Sequence, residues 1–301
     1  MNLYKIGIQY LKDNIPCLNN DQNWNEFESF YFKKPNYASL ENAFFEVPNS
    51  MYSQRRGKYI KYAKNETAIM QLLHGDSGKK TCDYRYVHQK YGDNYQNLVD
   101  DWQREIGFKI TNKNPNQNSW VIFAKSVCSA ANFLSQFSSF ESLVSYCTKE
   151  CPADRLAVAD EILKKRGAGC TTLIMTFNWL KDIGMSGYIK PDIHLCRIIL
   201  GVFKDEFLLK GEPYASTKDA DWTTKLPEKV KVQKDVFLKA IMQSSEDGAD
   251  PFAFDRLMYL IGSADFWGID ELFQQIKAEY AASVRGQDKD KRFINFVVNY
   301  K

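Results

Sequence analysis

The chain is 301 residues long, enough for one large domain or two ordinary ones with a sizeable core. Apolar residues make up 44% and charged residues 26%, which excludes an intrinsically disordered chain. The formal charge of only +3 excludes a uniformly basic nucleic-acid binder, so any DNA-binding face has to be a local patch.

In chain order, MNLYKIGIQYL predicts a short helix through Leu11, with no basic segment leading into an apolar signal core. No stretch approaches bilayer length. The expectation is therefore an intracellular protein, cytoplasmic and nucleoid-associated or nuclear, not secreted and without a membrane partner. Seven scattered cysteines without C-x-x-C spacing read as free thiols, and no zinc or iron–sulfur ligand set is visible. NNDQNWN reads as a loop. MYSQRRGKYIKYAKNETAIMQLL predicts a helix in its second half, while the tyrosine-rich CDYRYVHQKYGDNY leaves helix, loop and short strand open.

TNKNPNQNS, residues 111–119, is polar, carries a proline and lacks apolar periodicity, as a linker does. The expected division is thus an aromatic, basic region at 1–110, helical or α+β, then the linker, then a helical domain at 120–301. Residues 120–137 are apolar on much of the helical circumference, which suits a buried helix. FESLVSYCTKE predicts another. Pro152 opens a third, in which Leu156, Ala159, Ile162 and Leu163 form the apolar face. Lys164, Lys165 and Arg166 suit its negative end, and Gly167 its stop. A helix carrying Leu173, Ile174, Phe177 and Leu180 follows, then a loop at Gly184 and Gly187, then an apolar helix opened by Pro191-Asp192. Residues 211–231 read as a charged, irregular insertion. DPFAFDRLMYLIGS and DELFQQIKAEYAASV add two helices, so the fold class is mainly α.

The chemistry concentrates in residues 164–200. Gly167-Ala168-Gly169 lies between two amphipathic helices, and two glycines one apart permit a tight turn. If the second helix starts at about Cys170, its unpaired N–H groups form an anion site that a DNA phosphate fits without regard to sequence. Further on stands Lys190-Pro191-Asp192-Ile193-His194. Pro191 biases Lys190 towards extended backbone, and Asp192 is placed as a helix N-cap. Either element alone fits a plain helix corner and a plain cap.

Together the two elements resemble the helix-hairpin-helix/GPD superfamily of DNA glycosylases. Those proteins carry a G-x-G-x-x-T hairpin, a second helix, a loop, and an Asp-x-His segment opening the next helix. The matching residues are Gly167, Gly169, Thr172, Asp192 and His194, and the likeness covers roughly 120–200, extending weakly to 254–267. The resemblance implies a bilobed helical domain whose cleft receives a flipped base, with Asp192 as the catalytic carboxylate. It implies DNA contacts at Gly167, Ala168, Gly169, Cys170, Thr171 and Thr172, with Lys190 and His194 as possible support for Asp192. The family's lyase lysine has its counterpart at Thr171, whose hydroxyl cannot form an imine, so a monofunctional hydrolase without lyase activity is expected. By loose alignment of SAANF, Asn132 or Phe133 is the candidate wedge that fills the gap left by the flipped base.

A second basic cluster, RRGKYIKYAK, offers Arg55, Arg56 and Lys58 to phosphates, alternating with tyrosines; a solvated face with tyrosines turned to the core fits equally. No metal or other cofactor is expected. The expected partner is double-stranded DNA bearing a damaged or modified base, engaged by a monomer. The competing readings are a non-catalytic helix-hairpin-helix DNA-binding protein and a nuclease using the hairpin as an accessory grip. The sequence leaves open which base is excised, and whether the role is repair or defence against foreign modified DNA.

Overall fold

The computed structural model describes residues 1–50, 55–74, 82–110, 118–167, 170–209 and 226–300. The fold is mainly α, with no β-strand among the described residues. The helices are α1 Leu3–Asn14, α2 Asp21–Tyr31, α3 Leu40–Asn49, α4 Arg55–Ile60, α5 Tyr62–His74, α6 Tyr84–Tyr91, α7 Tyr95–Ile106, α8 Ser119–Leu134 and α9 Phe140–Cys147. They continue as α10 Pro152–Arg166, α11 Leu173–Asp182, α12 Ile193–Val202, α13 Lys204–Leu209, α14 Leu226–Glu246, α15 Pro251–Ser263, α16 Glu271–Ser283 and α17 Lys289–Asn299. None is long and apolar enough to cross a membrane.

The chain divides into two compact units. One comprises 1–34, 151–156 and 186–301; the other comprises 35–150 and 157–185. This differs from the boundary expected at 111–119. Residues 111–117 lie outside the described residues, but the helices on either side, α7 and α8, pack on each other in one unit. Trp102 of α7 stacks on Phe123 of α8 at 4.9 Å and 14°.

The first unit is built around α12, whose Leu195, Ile198 and Ile199 are fully buried against α14, α15 and α17. Burial of each contributes roughly 1.5–3 kcal/mol. Tyr10 of α1 sits edge-on to Phe293 and Phe296, both at 5.1 Å, and α2 sends Phe27 and Tyr31 against Phe266. The first 34 residues therefore belong to the same unit as Asp192, not to a separate N-terminal domain.

The second unit centres on α8, buried on most of its circumference as its apolar sequence predicts, against α3, α6 and α7. Trp179 of α11 closes one side, its indole N–H donating to the Ala43 carbonyl at 2.8 Å.

Two local expectations need correction, and one open reading is decided. NNDQNWN is not a loop: Asn20 caps α2 by accepting from the N–H groups of Gln22 and Asn23, and Asp21 suits the first turn. Its polarity belongs to a helix start. Residues 226–231, placed in an irregular insertion, open α14, while 210–225 lie outside the described residues. The tyrosine-rich segment is helix α6, capped by Asp83.

Candidate functional site

The hairpin lies in the second unit. Gly167 ends α10 with φ +82°, a value only glycine adopts readily, and its N–H donates to the carbonyls of Leu163 and Lys164. Ala168 and Gly169 fall outside the described residues. The next helix does not start at Cys170. The Cys170 N–H is consumed by the Gly167 carbonyl at 3.3 Å, which closes the turn, and α11 begins at Leu173. Thr172 is its N-cap, the hydroxyl accepting from the Met175 N–H at 3.3 Å. The Cys170 amide is thus spent inside the turn, which removes it as the anion-binding donor at the helix start. Thr171 is half-buried, and its hydroxyl donates weakly to the Thr172 carbonyl at 3.4 Å.

Asp192 lies in the first unit as the N-cap of α12. One carboxylate oxygen, Oδ1, accepts both cap bonds, from the N–H groups of His194 at 2.9 Å and Leu195 at 3.0 Å. The other, Oδ2, has no hydrogen-bond partner among the described residues. Burial raises the Asp192 carboxyl above the ordinary carboxylate range; Lys190 opposes this, the neighbouring Asp255 adds to it, and the Leu195 N–H opposes it. The site therefore holds an acid whose ionised form is disfavoured by desolvation and by a like charge, and favoured by a cation and a helix start.

Lys190 and His194 take distinct places around it. The Lys190 backbone N–H donates to the buried Asp255 carboxylate at 2.8 Å, which fixes the loop entering α12. His194 turns Nδ1 to the buried Asp290 at 3.1 Å, and Arg197 donates to the other oxygen of the same carboxylate at 3.2 Å. Gly262 makes room for this pair, since a Cβ there would stand 2.7 Å from that of His194 and press on the Asp290 carboxylate. Tyr259 packs edge-on to His194 at 6.2 Å, and its hydroxyl, pushed up to about 12 by burial and Asp265, donates to Asp265. Trp267 stands 6.3 Å from Tyr259 and is 39% exposed, with the Arg256 guanidinium over its ring at 5.1 Å.

The wedge candidates separate. Phe133 is 1% exposed, packed among Phe137, Tyr146 and Trp179, so it is a core residue and not an inserting side chain. Asn132 is half-buried, its amide donating to Asp93 at 2.6 Å and its carbonyl 2.7 Å from His88 Nδ1. In the basic cluster, the side chains of Arg55 and Arg56 lie outside the described residues. Lys58, Lys61, Lys64 and Tyr59 are exposed, whereas Tyr62 is in the core.

Sequence reasoning missed Asp255 and Asp290, the two buried carboxylates that position Lys190 and His194. Each sits on an amphipathic helix far along the chain, and spacing from Asp192 carries no signal for them. Among the described residues no group of three or more His, Cys, Asp or Glu side chains is placed to hold a metal ion. Compared with protein-family models, curated proteins and solved structures, the chain matches none.

Proposed function

We propose that the chain is a monomeric, monofunctional DNA glycosylase of the helix-hairpin-helix type, which extrudes a damaged or modified base and hydrolyses its N-glycosidic bond. The observation that carries the reading is the divided carboxylate of Asp192: one oxygen satisfies the start of α12 and the other has no hydrogen-bond partner among the described residues. A residue that only caps needs one oxygen. The second is available to a developing positive charge, and its capping bonds hold it in place without reorganisation.

In this mechanism the start of α11, beyond the Gly167 turn, meets the DNA backbone, and contacts to DNA offset the few kcal/mol that base extrusion costs. The bond from the sugar to the base nitrogen breaks, its electron pair leaves with the base, and charge develops on the sugar. The Asp192 carboxylate stabilises that oxocarbenium-like state. Water then adds at the sugar carbon, and its proton passes to the carboxylate. Lys190 supports the ionised form of Asp192, and the Asp290 carboxylate orients His194. Thr171 offers no amine, so the product is an abasic site with the backbone intact.

Incubation with duplexes carrying a panel of damaged and modified bases tests the reading by release of free base. Wild type should release base from at least one duplex and Asp192→Asn should not, while DNA affinity is unchanged. Binding without release from any substrate would leave a non-catalytic DNA-binding protein, and strand cleavage without base release would make it a nuclease.

A further inference from the structure

The second unit carries a polar cleft of about 270 Å³ that the proposed chemistry does not use. Lys125, Lys165 and Arg166 line it, against a single lining carboxylate, Asp93. The volume is about nine times a water's ~30 Å³ share of the liquid.

Two independent features make this more than a charged surface. Arg166 is 4% exposed, yet no carboxylate pairs with it among the described residues. Its Nε donates to Ser129 Oγ at 3.3 Å, and its Nη2 donates to the Ser126 carbonyl at 2.9 Å and hydroxyl at 3.1 Å. Nη1 has no acceptor among the described residues and is not sealed from solvent. Burial lowers this guanidinium to about 10, so it stays charged at neutral pH. A buried cation held only by neutral oxygens carries an uncompensated desolvation cost, which an anion in the cleft would offset.

The other feature is the start of α7, which lines the cleft at Tyr95. Asn94 makes no side-chain cap bond there, and the N–H groups of Tyr95 and Gln96 have no acceptor among the described residues. The positive end of the helix dipole thus meets the same space. Lys125 is fixed beside it, its ammonium 4.7 Å from the Tyr95 ring. Asp93 is engaged with the Asn132 amide, and Lys165 with Glu161 at 3.0 Å, so Arg166 is the principal donor, with the Lys125 ammonium beside it.

We infer that this cleft is a phosphate subsite, taking a backbone phosphate of DNA in addition to the one met by the start of α11. The assignment to DNA rests on the proposed function, because Arg166 immediately precedes the Gly167 turn and Cys170, just beyond it, also lines the cleft. A strand met by the start of α11 passes close to Arg166 by chain continuity alone.

The test is the salt dependence of binding to a short unmodified duplex, measured by fluorescence anisotropy from about 50 to 200 mM salt. Lys125→Gln, a half-buried side chain at the rim, should make the slope shallower by about one and weaken binding to all sequences alike. Arg166→Met should do at least as much, provided thermal unfolding shows that it folds. In parallel, duplex should slow alkylation of Cys170 by iodoacetamide, read by peptide mass in a Cys151→Ser background. An unchanged slope in Lys125→Gln overturns the inference. Protection of Cys170 by inorganic phosphate but not by duplex overturns the assignment to DNA. Because the duplex is unmodified, a reduced slope with no base release from any substrate would sustain the subsite and end the glycosylase reading. Base release with an unchanged slope would do the reverse.

Discussion

Replacing Asp192 by asparagine and, separately, by alanine distinguishes a carboxylate that acts from one that merely caps. Asparagine caps as well as aspartate, so Asp192→Asn should retain both bonds to α12, whereas Asp192→Ala loses them and costs about 1 kcal/mol. In a chain of this size that corresponds to a fall in Tm of about 1–2 °C. The charge adds a term of opposite sign. Burial and Asp255 raise the Asp192 carboxyl in the folded state, so its protonated form is the one that folding favours. The stability this contributes is complete below the ordinary carboxylate value and is lost as pH rises through the raised one. Above it, Asp192→Asn should match or exceed wild type in Tm, and its advantage should grow from about pH 4 towards neutrality. Base release should meanwhile fall by about 10²–10³-fold or more, the loss typical of removing one preorganised charge-stabilising group. Tm by differential scanning fluorimetry across pH and single-turnover base release together decide the matter. If Asp192→Asn loses as much stability as Asp192→Ala, or releases base at the wild-type rate, the reasoning fails.

Other outcomes follow from the same geometry. Base release should decline with falling pH at a value above the ordinary carboxylate range, because the ionised form is required and burial raises the group; a decline at or below that range would contradict the burial of Asp192. Asp290→Ala strips His194 and Arg197 of a buried carboxylate, and because both partners keep partial solvent access it should cost about 1–3 kcal/mol in urea unfolding. Gly262→Ala forces a methyl against His194 and Asp290 and should cost about 1–3 kcal/mol, with a measured loss near zero refuting the tight packing. Borohydride added during reaction should trap no covalent DNA adduct, since Thr171 supplies no amine; a trapped adduct would point to a lysine such as Lys190.

The helices that were legible in the sequence are those whose periodicity and caps agree. Pro152–Arg166 ending at Gly167, the apolar Ser119–Leu134, and Ile193–Val202 behind Asp192 belong to this group. In each, local sterics, capping and an apolar face point the same way. The Asn20 cap was misread because a polar run serves a loop and a helix start equally well. The site divides along the same line. Asp192, Lys190 and His194 are neighbours in sequence, so their grouping is set by a proline, a cap and one turn of helix.

What only the tertiary structure decided is everything that depends on a distant partner. Spacing cannot tell that Phe133 is sealed in a core while its neighbour Asn132 meets Asp93 and His88, because both lie on one helix and differ only in what packs against it. Nor can it place Asp255 under Lys190, or Asp290 against His194, contacts that span 65 and 96 residues. Arg166 makes the point most directly: the sequence presents it as the last cation of a helix end, and packing against Ser126 and Ser129 makes it a buried charge. Burial and electrostatic environment are properties of surfaces brought together by folding, and a local pattern encodes only the side that the residue itself supplies.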